Sequence, residues 1–152
     1  MTDMATRIEP AMIHPGTLRL LGGPTVLVGT RRGASGALRG LMLKYRAVER
    51  LSAFLRASPP QLMRVIEVNE RTAQRRKEQG TLTAEESDRL ARVARVAQRA
   101  VDAFGDENQA RKWLRGPNRA LRGEIPLELL GTDSGAELVA DELGRIEYGD
   151  LY

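Results

Sequence analysis

The hydrophobic positions of this chain follow a helical period over most of its length beyond residue 41. Apolar side chains recur there at steps of three and four, which predicts an amphipathic helix. These positions are Met42, Tyr45, Val48, Leu51, Phe54 and Leu55. A longer seam, widened by Val93 and Val96, consists of Leu90, Ala94, Ala97, Val101 and Phe104. Because its apolar face needs a partner, this seam predicts either a homodimer contact or burial within one chain.

Polar residues that cap backbone N–H groups mark where the predicted helices begin. A Ser or Thr with Glu or Gln three positions later is typical of a helix start, because the two residues satisfy each other's backbone N–H groups. The pairs are Ser58 with Gln61, Thr83 with Glu86, and Ser134 with Glu137. The Thr83 pair begins the longest predicted helix, which ends at about Phe104. The Ser134 pair begins a helix to about Leu143, where Gly144 is expected to end it and leave residues 145–152 as a tail.

Two short helices are predicted between residues 58 and 80. The first stops near Glu67, and Asn69 caps the second, Glu70–Gln79, which Gly80 ends. Two short helices with a tight turn between them are typical of a helix-turn-helix unit. A further helix runs from Asp106 through Leu114, and residues 126–130 read as one short turn. The pattern as a whole predicts an all-α protein.

Residues 1–40 are rich in Gly and Pro and show no helical period. We therefore predict a mostly irregular N-terminal arm. Residues 24–29 can form one short strand, but a lone strand needs a partner, which we expect only from a second chain. The predicted organisation is an arm over residues 1–40, a helix-turn-helix domain over 41–104, and a small helical domain over 105–152.

The net charge of +4 conceals a strong polarity along the chain. Residues 1–57 hold nine basic and three acidic residues, residues 58–100 nine and six, and residues 101–152 six and eleven. This distribution favours a polyanion at the basic end and a different partner at the acidic end. The chain has no Cys, which excludes a disulfide scaffold and fits a reducing cytoplasm. Since no stretch approaches the roughly 18 apolar residues of a membrane span, we expect a cytoplasmic protein without membrane contact.

The helix Glu70–Gln79 carries the residue types that read DNA. Ala73 is the plausible inward residue, and the candidate DNA-binding residues around it are Arg71, Thr72, Gln74, Arg75, Arg76 and Lys77. Arg can pair with guanine, Gln with adenine, and Thr suits phosphates. The second helix of such a unit enters the major groove. The alternative is a solvated charged face on an ordinary helix pair.

The sequence assembles no catalytic or metal-binding set. His14 is the single His and has no Cys beside it, so metal binding and general-base catalysis are improbable. The C-terminal acids are interpreted as helix caps, surface charge or a docking patch. Because no nucleophile lies with a base and an oxyanion site, we predict a protein that is not an enzyme and takes no cofactor.

Six short motifs follow one another in the last third of the chain. They are Phe104-Gly-Asp, Ala110-Arg-Lys-Trp-Leu, Pro117-Asn-Arg-Ala-Leu-Arg-Gly, Pro126-Leu-Glu-Leu-Leu, Gly135-Ala-Glu-Leu-Val and Leu143-Gly-Arg-Ile-Glu-Tyr-Gly. In this order they resemble the toxin-binding domain of the MbcA/ParS/Xre antitoxin family. Residues 58–104 resemble the Xre-like helix-turn-helix of the same family, joined by its long helix to the small toxin-binding domain. The resemblance covers roughly the last 110 residues.

The resemblance implies the antitoxin of a type II toxin–antitoxin pair. The implied partners are a RES-domain toxin that consumes NAD or transfers its ADP-ribose, operator DNA, and a second copy of the chain. The antitoxin would block the NAD cleft of the toxin and repress its own operon. The toxin-binding residues expected are Trp113, Arg115, Asn118, Arg119, Glu142, Arg145, Ile146, Glu147, Tyr148 and Tyr152.

Two alternatives remain open. In one, the protein is a stand-alone transcriptional regulator, and the helix-turn-helix is its whole function. The other concerns residues 145–152, expected to dock at the mouth of the NAD site with Ile146, Tyr148 and Tyr152 as anchors. They can instead fold back on Trp113 and complete the core of the antitoxin.

Overall fold

The computed structural model describes residues 13–28, 31–32, 38–39 and 42–149. The helices of this part of the chain are α1 (Pro15–Leu20), α2 (Arg46–Leu55), α3 (Pro59–Val65), α4 (Glu70–Gln79), α5 (Ala84–Phe104), α6 (Glu107–Arg115) and α7 (Asp133–Glu147). Short 3-10 turns occupy Pro24–Val26, Arg119–Leu121 and Pro126–Leu129. The strands are β1 (Leu27–Val28), β2 (Arg31–Arg32), β3 (Leu38–Arg39) and β4 (Met42–Leu43). The all-α prediction is confirmed, since the strands are two residues each.

Most of the observed helices begin at the capping residues that the sequence predicts. The Ser58 hydroxyl accepts the N–H of Gln61 at 3.2 Å, and the Asn69 side chain accepts the N–H of Thr72 at 2.8 Å. At the start of α5 the capping box is complete, with Thr83 and Glu86 each accepting the backbone N–H of the other. Each of these bonds spans three residues, which is why the sequence alone could locate them.

α5 is the central helix, and α1, α6, α7 and β4 pack against it. The seam residues Leu90, Ala94 and Ala97 are fully buried, and so is Val93. Neighbours within the same chain cover these residues. They are therefore not available for a homodimer contact. One hydrophobic cluster runs from Leu20 to Leu143, through both predicted domains. The domain boundary at residue 104 stays a prediction.

The prediction of an irregular arm is wrong for residues 13–28. Pro15 begins α1, the His14 Nδ1 accepts the N–H of Gly16 at 3.2 Å, and the helix buries Leu18 and Leu20. Six residues are too few to show a helical period, and a helix this short is stable only through tertiary packing. Leu21 and Val26 extend the buried set. Residues 1–12 lie outside the described part of the chain.

The strand predicted after Pro24 finds its partner within the same chain. β1 pairs antiparallel with β4, with Leu27 opposite Leu43, and β2 pairs with β3. The expectation that only a second chain could supply this partner is therefore wrong. The placement of Met42 on a helical face is also wrong, because Met42 lies in β4 and α2 begins at Arg46. The Leu43 N–H donates to the buried Ser87 hydroxyl at 2.9 Å, which fixes this strand to α5.

The last helix differs from its prediction at both ends. Its cap is Thr132, whose hydroxyl accepts the N–H of Gly135 at 3.1 Å, so Ser134 lies in the first turn. Gly144 does not end the helix, which continues to Glu147. A Cβ at position 144 would lie 3.3 Å from Nη2 of Arg99, so this glycine lies within the helix, facing a side chain of α5. In the part of the chain that the structure describes, no helix is long and apolar enough to cross a bilayer.

We predict that Leu21→Ala lowers the free energy of unfolding by about 2–5 kcal/mol, because the leucine is fully buried and its truncation leaves a cavity. Urea denaturation followed by circular dichroism measures the change. The matched control is Leu138→Ala, the same substitution at an exposed position, with an expected change within about 0.5 kcal/mol. Equal stabilities of Leu21→Ala and the wild type would contradict the placement of this segment in the core.

Candidate nucleic-acid interface and partner surface

The helix-turn-helix unit is built from α3 and α4 and a turn held by α5. α3 buries Leu62, Met63 and Val65 against the core. In the turn, Glu67 adopts a left-handed conformation with φ of 62°, and Arg89 of α5 donates to the Ile66 carbonyl at 3.4 Å. These contacts fix the direction in which α4 leaves the turn.

α4 is the most exposed helix of the unit, with no buried residue. Ala73 is half-buried and packs against the core, which confirms it as the inward residue. Arg71, Gln74, Arg75 and Lys77 are exposed, and Thr72 is half-buried. The side chains of Arg71 and Arg75 are one helical turn apart, so they lie on one face. The exposed face of α4 therefore carries Arg71 and Arg75.

Arg76 differs from the other candidate DNA-binding residues. Its Nε lies 2.9 and 2.8 Å from the two carboxylate oxygens of Glu86, and its Nη1 donates to Gln79 at 3.2 Å. Only 14% of the Arg76 side chain and 8% of the Glu86 side chain are exposed. Arg76 therefore anchors α4 to the start of α5 and is not free to read bases. Sequence reasoning assigned Glu86 to the capping box alone and missed this second role.

The charge state of Glu86 follows from two opposing effects. Burial disfavours the carboxylate, but hydrogen bonds from Arg76 and from the Thr83 backbone and side chain outweigh it, so the pKa of Glu86 lies below its usual 4.5. The same pair raises the pKa of Arg76, chiefly through the hydrogen bond to Glu86. Both groups are thus charged at neutral pH, and the pair stabilises the fold where the carboxylate is ionised.

A second surface lies on the outer face of α7. The helix buries Gly135, Ala136, Val139 and Leu143, and the opposite face carries acids beside two exposed apolar side chains. These are Leu138, 57% exposed, and Tyr148, 82% exposed, and within the described residues no other large hydrophobic side chain is exposed. Leu138 was missed by sequence reasoning. Its signal is an apolar residue that falls outside the helical period of the buried stripe.

The predicted partner-binding residues near the end of α7 have different environments. Glu142 accepts from Arg145 at 2.9 Å, so this pair is engaged on the helix surface. Ile146 is half-buried and packs against the core, so its side chain is not free to contact a partner as an anchor. Glu147 and Tyr148 are exposed, and Tyr152 lies outside the described residues. Because residues 145–147 are helical, they do not form the free tail that the sequence suggested.

The remaining predicted partner-binding residues lie around the end of α6. Trp113 is half-buried, with its ring 5.9 Å from that of Phe104, and the two line a depression of about 580 Å³ together with Pro117 and Asn118. The Asn118 side chain accepts the N–H of Ala120 at 2.8 Å, so it shapes the loop. Arg115 and Arg119 are exposed, and the turn that holds Arg119 packs against α7.

The chain thus combines a helix-turn-helix unit and an acidic, partly apolar helix on one hydrophobic core. The family model described as an antitoxin Xre-like helix-turn-helix domain matches residues 33–95. The model described as the antitoxin Xre/MbcA/ParS C-terminal toxin-binding domain matches residues 99–149. The chain therefore carries both domains of an Xre/MbcA/ParS-type antitoxin, which confirms the resemblance. The family is a class of DNA-binding antitoxins and not of enzymes.

Curated relatives named Antitoxin Xre resemble the chain over part of its length. The protein from Photorhabdus laumondii is 46% identical over 71 residues, which are 46% of this chain and 48% of the relative. The one from Yersinia enterocolitica is 45% identical over 76 residues, 49% of this chain and 51% of the relative. The one from Pseudomonas putida is 37% identical over 68 residues, 45% and 43% respectively. The chain thus spans about half the length of these relatives.

We predict that Glu86→Gln lowers the free energy of unfolding at neutral pH by about 1–3 kcal/mol, because Arg76 is left without its carboxylate. A group whose pKa is lowered by folding stabilises the protein above its unfolded pKa and loses this effect as pH falls through its folded pKa. The difference between wild type and variant should therefore be complete above about pH 4.5 and shrink below it.

Chemical denaturation at several pH values between about 3 and 7, the range in which carboxylates titrate, measures this difference. Glu85→Gln is the matched control, the same substitution at the exposed neighbouring position, with an expected change within about 0.5 kcal/mol. A Glu86→Gln protein as stable as the control would show that the ion pair contributes nothing.

Proposed function

We propose that this protein is the antitoxin of a type II toxin–antitoxin pair. In this proposal α4 binds operator DNA, and the surface formed by α7 and the loop after α6 binds a RES-domain toxin and blocks its NAD cleft. The observation that carries the proposal is the pair of exposed apolar side chains, Leu138 and Tyr148, among acids on the outer face of α7. These side chains serve neither the core nor the DNA-binding unit and are available to a partner protein.

The chemistry of the expected partner fits the charge of α7. A protein that binds the pyrophosphate of a dinucleotide needs basic side chains or helix N-termini at its cleft. The exposed acids Glu137, Asp141 and Glu147 complement such a cleft, while Leu138 and Tyr148 supply apolar anchors. Charge complementarity also speeds the encounter of the two proteins.

DNA binding is supported by the exposed cations of α4. Arg71 and Arg75 lie on one exposed face with Gln74, on the second helix of a helix-turn-helix unit, and this helix enters the major groove in proteins of this type. Arg76 is excluded from this set because of its pairing with Glu86. Repression of the operon then follows if the operator overlaps the promoter.

The homodimer implied by the family stays a prediction. Twofold symmetry would pair two helix-turn-helix units on a palindromic operator. Leu90, Ala94 and Ala97 of the α5 seam do not form the contact between the copies, because they are buried within one chain.

We predict that Arg71→Ala/Arg75→Ala weakens binding to the upstream region of its own gene and reduces the slope of log affinity against log salt by about two. Fluorescence anisotropy with a labelled duplex at several salt concentrations measures both quantities. Arg119→Ala/Arg145→Ala is the control that removes the same charge from exposed positions away from α4. If the control and the α4 variant weaken binding equally, the effect is one of net charge and α4 is not the reader.

We predict that Leu138→Ser/Tyr148→Ser weakens toxin binding by at least about tenfold, because each apolar anchor at the centre of an interface contributes about 1–2 kcal/mol. Growth rescue and pull-down with the co-expressed RES-domain protein from the neighbouring gene measure the loss. Thermal unfolding and DNA binding should stay unchanged, since both side chains are exposed.

The Arg71→Ala/Arg75→Ala protein is the reciprocal control and should still neutralise the toxin. Full rescue by the α7 variant would contradict this docking surface. A wild-type protein that binds DNA but no product of a neighbouring gene would instead support the stand-alone regulator.

A further inference from the structure

A cluster of cations lies outside the recognition helix, where the end of α2 meets α6. Arg56, Arg111, Lys112 and Arg115 line a depression of about 520 Å³ together with Asn108 and Gly116. Arg56 follows α2 directly, in a left-handed conformation with φ of 54°. On α6, the cluster residues recur at steps of three and four, so they occupy one face of that helix.

Arg111 holds this cluster together from within. Its Nε donates to the Phe54 carbonyl at 2.5 Å, its Nη1 donates to Asn108 at 2.7 Å, and its guanidinium lies 5.1 Å from the centre of the Phe54 ring. These contacts attach α6 to the end of α2. They fix the backbone that carries the other three cations and leave Arg111 itself engaged.

The other three cations, Arg56, Lys112 and Arg115, are exposed. Within the described residues, the ion pairs that form involve Arg19, Arg76, Arg92 and Arg145, so none of them neutralises this cluster. Three positive side chains held close together without a carboxylate repel one another. An anion with several charges bound among them would relieve this repulsion.

The cluster is continuous with the helix-turn-helix unit. Arg56 precedes Pro59, the first residue of α3, by three positions, which limits the separation of their Cα atoms to about 11 Å. Pro59 in turn lines a groove of about 610 Å³ together with Gln74 and Lys77 of α4. The groove also holds Arg64 and one acid, Glu70, so cations of α3 and α4 lie beside the start of α3, a short distance from Arg56.

We infer that Arg56, Lys112 and Arg115 contact backbone phosphates of the DNA that flanks the segment read by α4. The inference rests on the proposed DNA binding, which it extends to a helix in the family's toxin-binding domain. Phosphates are the fitting ligand because the cluster offers cations without an aromatic platform for bases, and because the first helix of such units lies across the DNA backbone. Contacts of this kind add affinity on any sequence and do not select bases.

The test uses the full chain with Arg56→Gln/Lys112→Gln/Arg115→Gln, which removes charge while retaining side-chain length. Affinity is measured at several salt concentrations on the operator duplex and on an unrelated duplex of equal length. We expect both affinities to fall by the same factor, about tenfold or more, and the salt slope to decrease by about three. The ratio of the two affinities should stay as in the wild type.

Two controls separate this effect from net charge and from misfolding. Arg119→Gln/Arg122→Gln/Arg145→Gln removes the same charge from other exposed positions and should change the slope much less. Thermal unfolding checks the fold of each variant. Progressive shortening of the flanks should weaken the wild type but not the cluster variant, because only the wild type uses the flanking phosphates.

Three results would overturn the inference. One is an unchanged slope and affinity in the cluster variant, and another is an equal loss in the charge-matched control. The third is normal DNA binding with loss of toxin neutralisation, which would assign the cluster to a protein partner. All three leave DNA binding by the wild type intact. Failure of the wild type to bind any duplex would instead overturn the proposed function.

Discussion

Burial of the long helix α5 on several sides is the constraint on which the rest of the structure depends. Its small buried residues, Ala94, Ala97 and Ala100, allow α1, α6, α7 and β4 to approach closely. Since all of these elements share one hydrophobic cluster, the DNA-binding unit and the partner surface are parts of one packed body. A change in the packing of α5 therefore reaches both surfaces.

Arginines at the edges of α5 bind neighbouring segments and so fix the positions of α4 and α7. Arg89 binds the carbonyl of Ile66 in the turn before α4, and Arg92 binds the Gly131 carbonyl and Asp133 at the start of α7. In the first turn of α5, Glu86 forms an ion pair with Arg76 of α4. The Arg76–Glu86 pair is shielded from water, whereas the Asp133 carboxylate is exposed, so water screens the Arg92–Asp133 pair more strongly. The same helix thus orients both α4 and α7.

This arrangement divides the abundant arginines of the chain into two groups. Arg76, Arg92 and Arg111 are engaged with carboxylates or carbonyl groups and hold elements together. Arg71, Arg75 and Arg115 are exposed and available to phosphates or a partner. The sequence presents all six as equivalent, because the distinction depends on which residues lie opposite them in the fold.

The features that the sequence determined by itself are local ones, such as helix starts, and those that motifs carry. The starts of α3, α4 and α5 follow from side-chain caps within three residues, and six ordered motifs identified the antitoxin family. Tertiary structure alone decided the features that need distant partners: the helix at Pro15–Leu20, the pairing of β1 with β4, the passage of α7 through Gly144, and the burial of the α5 seam within one chain. The physical reason is that a cap is satisfied by its near neighbours, whereas a buried face or an ion pair is defined only by residues that folding brings opposite it.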